Sequence, residues 1–156
     1  MKKLIGNFIQ QPLYLKITIV LSFLVFIISL TQPAFYTTSK DDPNADFDGF
    51  TLFFLGWTSS LSGAFIPFIF WLANPLYLVA IFFTSNNKSL RLYLSLAATL
   101  IAFRFCWVDS LITRDAGGPA VITSHGPGFI WWLISFTILT LGLTADYLLT
   151  NKKRNE

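Results

Sequence analysis

Four long apolar stretches, separated by short polar or charged segments, set the pattern of the chain. They run over about residues 13–35, 50–83, 92–113 and 129–149, and each reaches the roughly 20 residues that a helix needs to cross a bilayer. The predicted fold is an all-α integral membrane protein, with four transmembrane helices in an up-down antiparallel bundle. It forms a single polytopic membrane domain over residues 1–156, with no soluble domain attached. Residues 36–49 and 114–128 form the outer connections, 84–91 an inner turn, and 150–156 an inner basic tail.

The second stretch is too long for one simple span. Residues 50–83 carry no charge, and a straight helix over them would measure about 50 Å against an apolar slab of about 30 Å. Two crossings would need a polar turn near Ile66-Pro67, where none exists. The pattern predicts an interfacial helix from about residue 50, followed by one crossing that Pro67 and Pro75 kink by removing backbone donors. Gly56, Ser60 and Ala64 form a small-residue ladder of the kind that lets helices approach closely. Asp46 or Asp48 is placed to cap the start of the interfacial helix.

Composition strengthens the membrane reading. The chain is 54% hydrophobic and 12% charged, about half the charge of an average soluble domain, and its mean hydropathy is +0.61. The net charge of +3 calls for no nucleic-acid partner; the placement of the cations reports topology instead. Lys2, Lys3, Lys16, Lys88, Arg91, Lys152, Lys153 and Arg154 fall on one side, against Lys40 and Arg114 on the other. The positive-inside rule then places both termini in the cytoplasm, and a multi-pass location in a bacterial inner (plasma) membrane is expected. The basic start and first apolar run lack a clear cleavage site and are read as an uncleaved anchor. Cys106, the sole cysteine, permits no intrachain disulfide and is expected to pack as a small hydrophobe.

Candidate chemistry centres on Arg104, near mid-depth of the third stretch. An intramembrane arginine needs a partner. Asp109 is five residues on and poorly aligned around the helix, whereas Asn74 lies at a similar depth in the second span. A structural or ligand-binding polar cluster of Arg104, Asn74 and Asp109 is therefore expected, with Arg104 bolted to the Asn74-Pro75 region. A second candidate site lies at the outer mouth and comprises Trp57, Trp107, Arg114, Asp115, His125 and Trp131. Gly and Pro residues around 117–119 and 126–128 punctuate the loop there, and Ala120 to Thr123 is apolar enough to fold back as a lid. Trp132, beside Trp131, is read as part of an interfacial anchor. Asp146 is expected to pair with Lys152 or the inner basic turn.

No catalytic residue, metal site or cofactor is assigned. One histidine, His125, cannot build a zinc or bis-His haem site, and no nucleophile–base pair can be named. A single cysteine excludes quinone-linked thiol oxidase chemistry. A first span without an acid excludes the small multidrug antiporters. The first expectation is a non-enzymatic protein acting through protein–protein interaction, as an accessory or assembly subunit or an immunity-type protein. Its partners would be the lipid bilayer and a membrane-protein partner or a second copy. The alternative is an oligomeric transporter, or a lipid- or small-anion-binding protein, with its site at the outer mouth.

Overall fold

A computed structural model of the chain describes residues 11–38, 45–61, 65–82, 87–111 and 120–155. Four helical stretches in it are long and apolar enough to cross a membrane: Leu13–Leu30, Phe65–Phe82, Lys88–Trp107 and Pro127–Lys152. In chain order, α1 is Leu13–Leu30, β1 Pro33–Thr38, β2 Ala45–Asp48 and α2 Gly49–Leu55. A 3-10 turn, Gly56–Ser60, follows. Then come α3 Phe65–Trp71, α4 Ala73–Phe82, α5 Lys88–Arg104, the 3-10 turn Phe105–Trp107, β3 Ser110–Leu111, β4 Ala120–His125 and α6 Pro127–Asn155.

The all-α expectation is corrected by a four-stranded antiparallel sheet in the order β2-β1-β4-β3. Three boundaries move with it. The first stretch leaves the helix after Leu30, because Pro33 has no backbone donor and steers Gln32 away from helical geometry. Residues 33–35, assigned to that helix, are in β1. The third stretch leaves regular helix after Arg104, and Asp109 already belongs to the sheet ladder through its carbonyl, which accepts the Ile122 N–H at 2.9 Å. The Ala120 to Thr123 segment, expected as a lid, is β-branched enough to form β4. It pairs with β1, placing His125 opposite Phe35 and Ile122 opposite Thr37. Pro127 opens α6, where a missing N–H costs nothing.

Asp48 caps α2, as its place before the apolar run implies. Its Oδ1 accepts the Thr51 N–H at 2.7 Å and its Oδ2 accepts the Thr51 hydroxyl at 2.8 Å. These bonds, the backbone one first, hold the Asp48 carboxyl below the usual aspartate range. The second span is interrupted at Leu72, three residues before Pro75. The Leu72 and Leu76 N–H groups still reach the Phe68 and Leu72 carbonyls, at 3.1 and 3.2 Å.

α1 packs most extensively on α6, and α5 packs on both α4 and α6. The interior is built from aromatic rings and small hydroxyls. Tyr77 stacks on Phe136 with ring centres 4.5 Å apart and on Phe26 at 5.0 Å. Ser22 donates its hydroxyl proton to the Ser135 carbonyl at 2.7 Å, so Tyr77 donates to Ser22 at 2.6 Å. Ser95, Thr99 and Thr140 hydrogen-bond across the α5–α6 seam. In an apolar surround such contacts join helices where the hydrophobic effect cannot. A second core cluster links the sheet to the spans through Phe35, Phe105 and Phe129, with Phe47 and Trp132 packed against it.

The end of the bundle away from the sheet gathers charge. The start of α1 meets the end of α6 where the Tyr14 hydroxyl donates to Asp146 Oδ1 at 2.8 Å. Lys88, at the start of α5, reaches Asp146 Oδ2 at 3.0 Å, so the acid pairs with the basic turn. Arg91 is buried at 4% exposure, and its Nε–H donates to the Ala80 carbonyl at 2.8 Å.

Candidate functional site

The sheet end of the spans encloses a partly open apolar cleft of about 210 Å³. α1 contributes Ser29 and Leu30, β1 Ala34 and Phe35, and α2 with its following turn Gly49, Leu52, Phe53, Gly56 and Ser59. The second span contributes Pro67, Phe70, Trp71 and Asn74. Phe105, Gly128, Phe129 and Trp132 complete the wall. A cavity of about 150 Å³ accommodates one benzene ring, so this cleft fits a ring or a short length of chain.

Each wall is positioned by a specific contact. The Trp71 indole N–H donates to the Phe53 carbonyl at 2.8 Å and ties the second span to α2. Gly56 permits that approach, because a Cβ there would lie 2.5 Å from Trp71 Cδ1. Gly128 does the same where α6 passes β1 and α1: a Cβ would lie 2.6 Å from the Gln32 carbonyl oxygen and 2.9 Å from that of Ser29. Adjacent residues on a helix point about 100° apart, so Trp131 faces outward at 42% exposure while Trp132 turns inward. The Trp132 indole N–H donates to Asn74 Oδ1 at 2.8 Å.

The cleft is chemically quiet. Its described lining carries no titratable side chain, and its polar groups are Ser29, Ser59, Asn74 and the two indoles. The Ser29 hydroxyl donates to the Phe26 carbonyl and the Ser59 hydroxyl to that of Gly56, both at 2.6 Å. Such a lining offers a molecule apolar contact and exclusion of water. Among the described residues no three His, Cys, Asp or Glu side chains gather as a metal site.

The structure distributes the expected site residues differently from the sequence reading. Asn74 is buried and borders the cleft, but its oxygen is taken by Trp132. Arg104 is exposed at the last position of α5, where a cation suits the helix dipole, and among the described residues it makes no hydrogen bond or ion pair. The Arg104–Asn74 bolt is replaced by Trp132–Asn74. Asp109 is exposed and enters the ladder through its backbone alone. Trp57, Trp107 and Trp131 are exposed at 45%, 67% and 42%. Arg114 and Asp115 lie outside the described residues. His125 stands behind the cleft wall, its ring 4.5 Å from Phe129 and 5.9 Å from Phe105 between centres. Its Nε2 is buried with no hydrogen-bond partner among the described residues. Cys106, expected inside, is exposed.

Trp132, Trp71, Phe105 and Phe129 were not singled out as cleft residues from sequence. A tryptophan beside a second tryptophan is the one signal that pointed to Trp132, since only one of the pair can face outward. Comparison with known proteins finds no matching family model, no matching curated protein and no matching solved structure.

Proposed function

We propose that the protein is a non-enzymatic membrane protein that binds an apolar ligand of lipid type in the cleft at the sheet end. The single observation that carries this reading is the cleft itself. It is a preformed, largely apolar space of about 210 Å³, walled by aromatic residues of the membrane-crossing stretches, with no reactive or charged group in its described lining. The molecules present at that depth of a bilayer are lipids, and an apolar chain fills such a space without desolvating a charge.

The four spans are proposed to form an up-down antiparallel bundle in a bacterial inner membrane, with the second span bent at Leu72-Pro75. The cation count supports cytoplasmic termini, and the sheet and cleft then lie toward the outer face. This keeps the ligand-binding expectation and places its site in the cleft, away from Arg104 and Asp109. Protein–protein interaction takes second place, because no feature of the described surface singles out a partner.

Photo-crosslinking in native-lipid nanodiscs tests the reading. A diazirine-bearing acyl chain is expected to label Phe70, Trp71, Phe129 or Trp132, and unlabelled long-chain lipid is expected to displace it. Labelling spread evenly over lipid-facing residues such as Leu100 and Leu141, without competition, would overturn it.

A further inference from the structure

The orientation of one amide specifies the ligand more closely. Asn74 is 7% exposed and borders the cleft. The indole N–H of Trp132 can only donate, so the atom of Asn74 that faces it is the oxygen. The amide nitrogen therefore points elsewhere. It forms no hydrogen bond among the described residues, yet it is not sealed from the surface.

The other polar protons of the cleft wall are committed. The Trp71 N–H goes to the Phe53 carbonyl, the Trp132 N–H to Asn74, and the Ser29 and Ser59 hydroxyls to carbonyls of their own turns. Among the described wall residues, the Asn74 amino group is the donor left over. An unmatched donor in an apolar cleft loses its hydrogen bonds to water, and a ligand acceptor would restore one.

We propose that the cleft ligand is an apolar chain or ring bearing one uncharged acceptor oxygen, a carbonyl, which accepts a hydrogen bond from Asn74 Nδ2. This rests on the lipid-binding reading above. An anionic headgroup does not suit the position, because the described lining holds no cation to balance its charge. Two membrane molecules share the required chemistry: the ester carbonyl of a glycerolipid and the ring carbonyl of an isoprenoid quinone. The inference concerns binding alone, and no electron transfer is involved.

The test is displacement of the diazirine acyl probe from the full chain in nanodiscs. A long-chain fatty acid methyl ester is compared with the alkane of equal chain length. The ester is expected to bind roughly tenfold more tightly, the worth of one hydrogen bond of about 1.4 kcal/mol. In Asn74→Leu combined with Trp132→Phe, which removes both the amide and the indole donor, the two should bind equally. If that variant does not fold, the comparison on the native protein decides alone. A diacyl phospholipid and a short-chain quinone, run as further competitors, separate the two sources. Equal displacement by ester and alkane on the native protein overturns the acceptor proposal and leaves lipid binding standing. Displacement by neither overturns both.

Discussion

The indole N–H of Trp132 donates to Oδ1 of Asn74 across 2.8 Å, joining α6 to the second span at the cleft wall. Asn74 is buried and Trp132 half-buried, so truncating the acceptor leaves the indole donor unpaired. Asn74→Ala is expected to cost about 1–3 kcal/mol, with Trp132→Phe costing less because the freed amide can turn. Unfolding of the detergent-solubilised protein, followed by tryptophan fluorescence, measures both. Changes within 0.5 kcal/mol, the ordinary range of surface substitutions, would show that the bond does not hold the wall.

Gly56 exists for Trp71. A methyl at Gly56 meets a ring that the Phe53 carbonyl holds in place, so the ring cannot simply swing away. Gly56→Ala is expected to destabilise by about 1–3 kcal/mol through overpacking. Combined with Trp71→Ala, it should cost less than the sum of the two single variants, since the ring it strikes is gone. Strict additivity in that cycle would contradict the contact.

The charge at the opposite end makes an asymmetric prediction. Asp146 is buried and accepts from Tyr14 and Lys88. Asp146→Asn weakens the bonds from both Tyr14 and Lys88 at a buried position and is expected to cost about 1–3 kcal/mol. Lys88 is half exposed, and Lys88→Met should cost no more than about 1 kcal/mol. Thermal unfolding midpoints of the two variants check the order, and equal shifts would contradict it.

Asp48 gives α2 a pH dependence. Its folded pKa lies below the unfolded value because Thr51 binds the carboxylate. The cap therefore contributes its full stability above the unfolded pKa of about 3.9, and loses it as the pH falls through the lower folded value. Protection of the α2 amides against hydrogen exchange, taken relative to the intrinsic rate, should fall on acidification below about pH 4 in the native protein. It should stay flat in Asp48→Asn, which caps without titrating. An acid response that persists in Asp48→Asn would assign it to another group.

Long apolar runs made the four spans legible, and the cap of α2 was legible as Asp46 or Asp48, because a cap has a residue type and a place. The sheet was not. β1 follows α1 after only Thr31 and Gln32, β2 has four residues and β3 two. Only the β-branched run in β4 carried a local signal, and it was read as a lid. Arg104 shows a different limit. Counting rise along a helix estimates depth but not direction, and depth alone paired Arg104 with Asn74. Arg91 was counted with the surface cations, although it lies one turn further into α5 than Lys88, where that helix packs on α4 and buries it. The cleft is assembled from short pieces of eight elements, and no single stretch announces it.

Density for the cleft tests the central claim most directly. A structure of the native protein in nanodiscs made from its own membrane lipids should show elongated density between Phe70, Trp71, Phe129 and Trp132. One end should lie within hydrogen-bond distance of Asn74 Nδ2. A cleft that is closed by its own side chains, or that is open but empty at a resolution where annular lipids are ordered, would contradict a lipid-binding function.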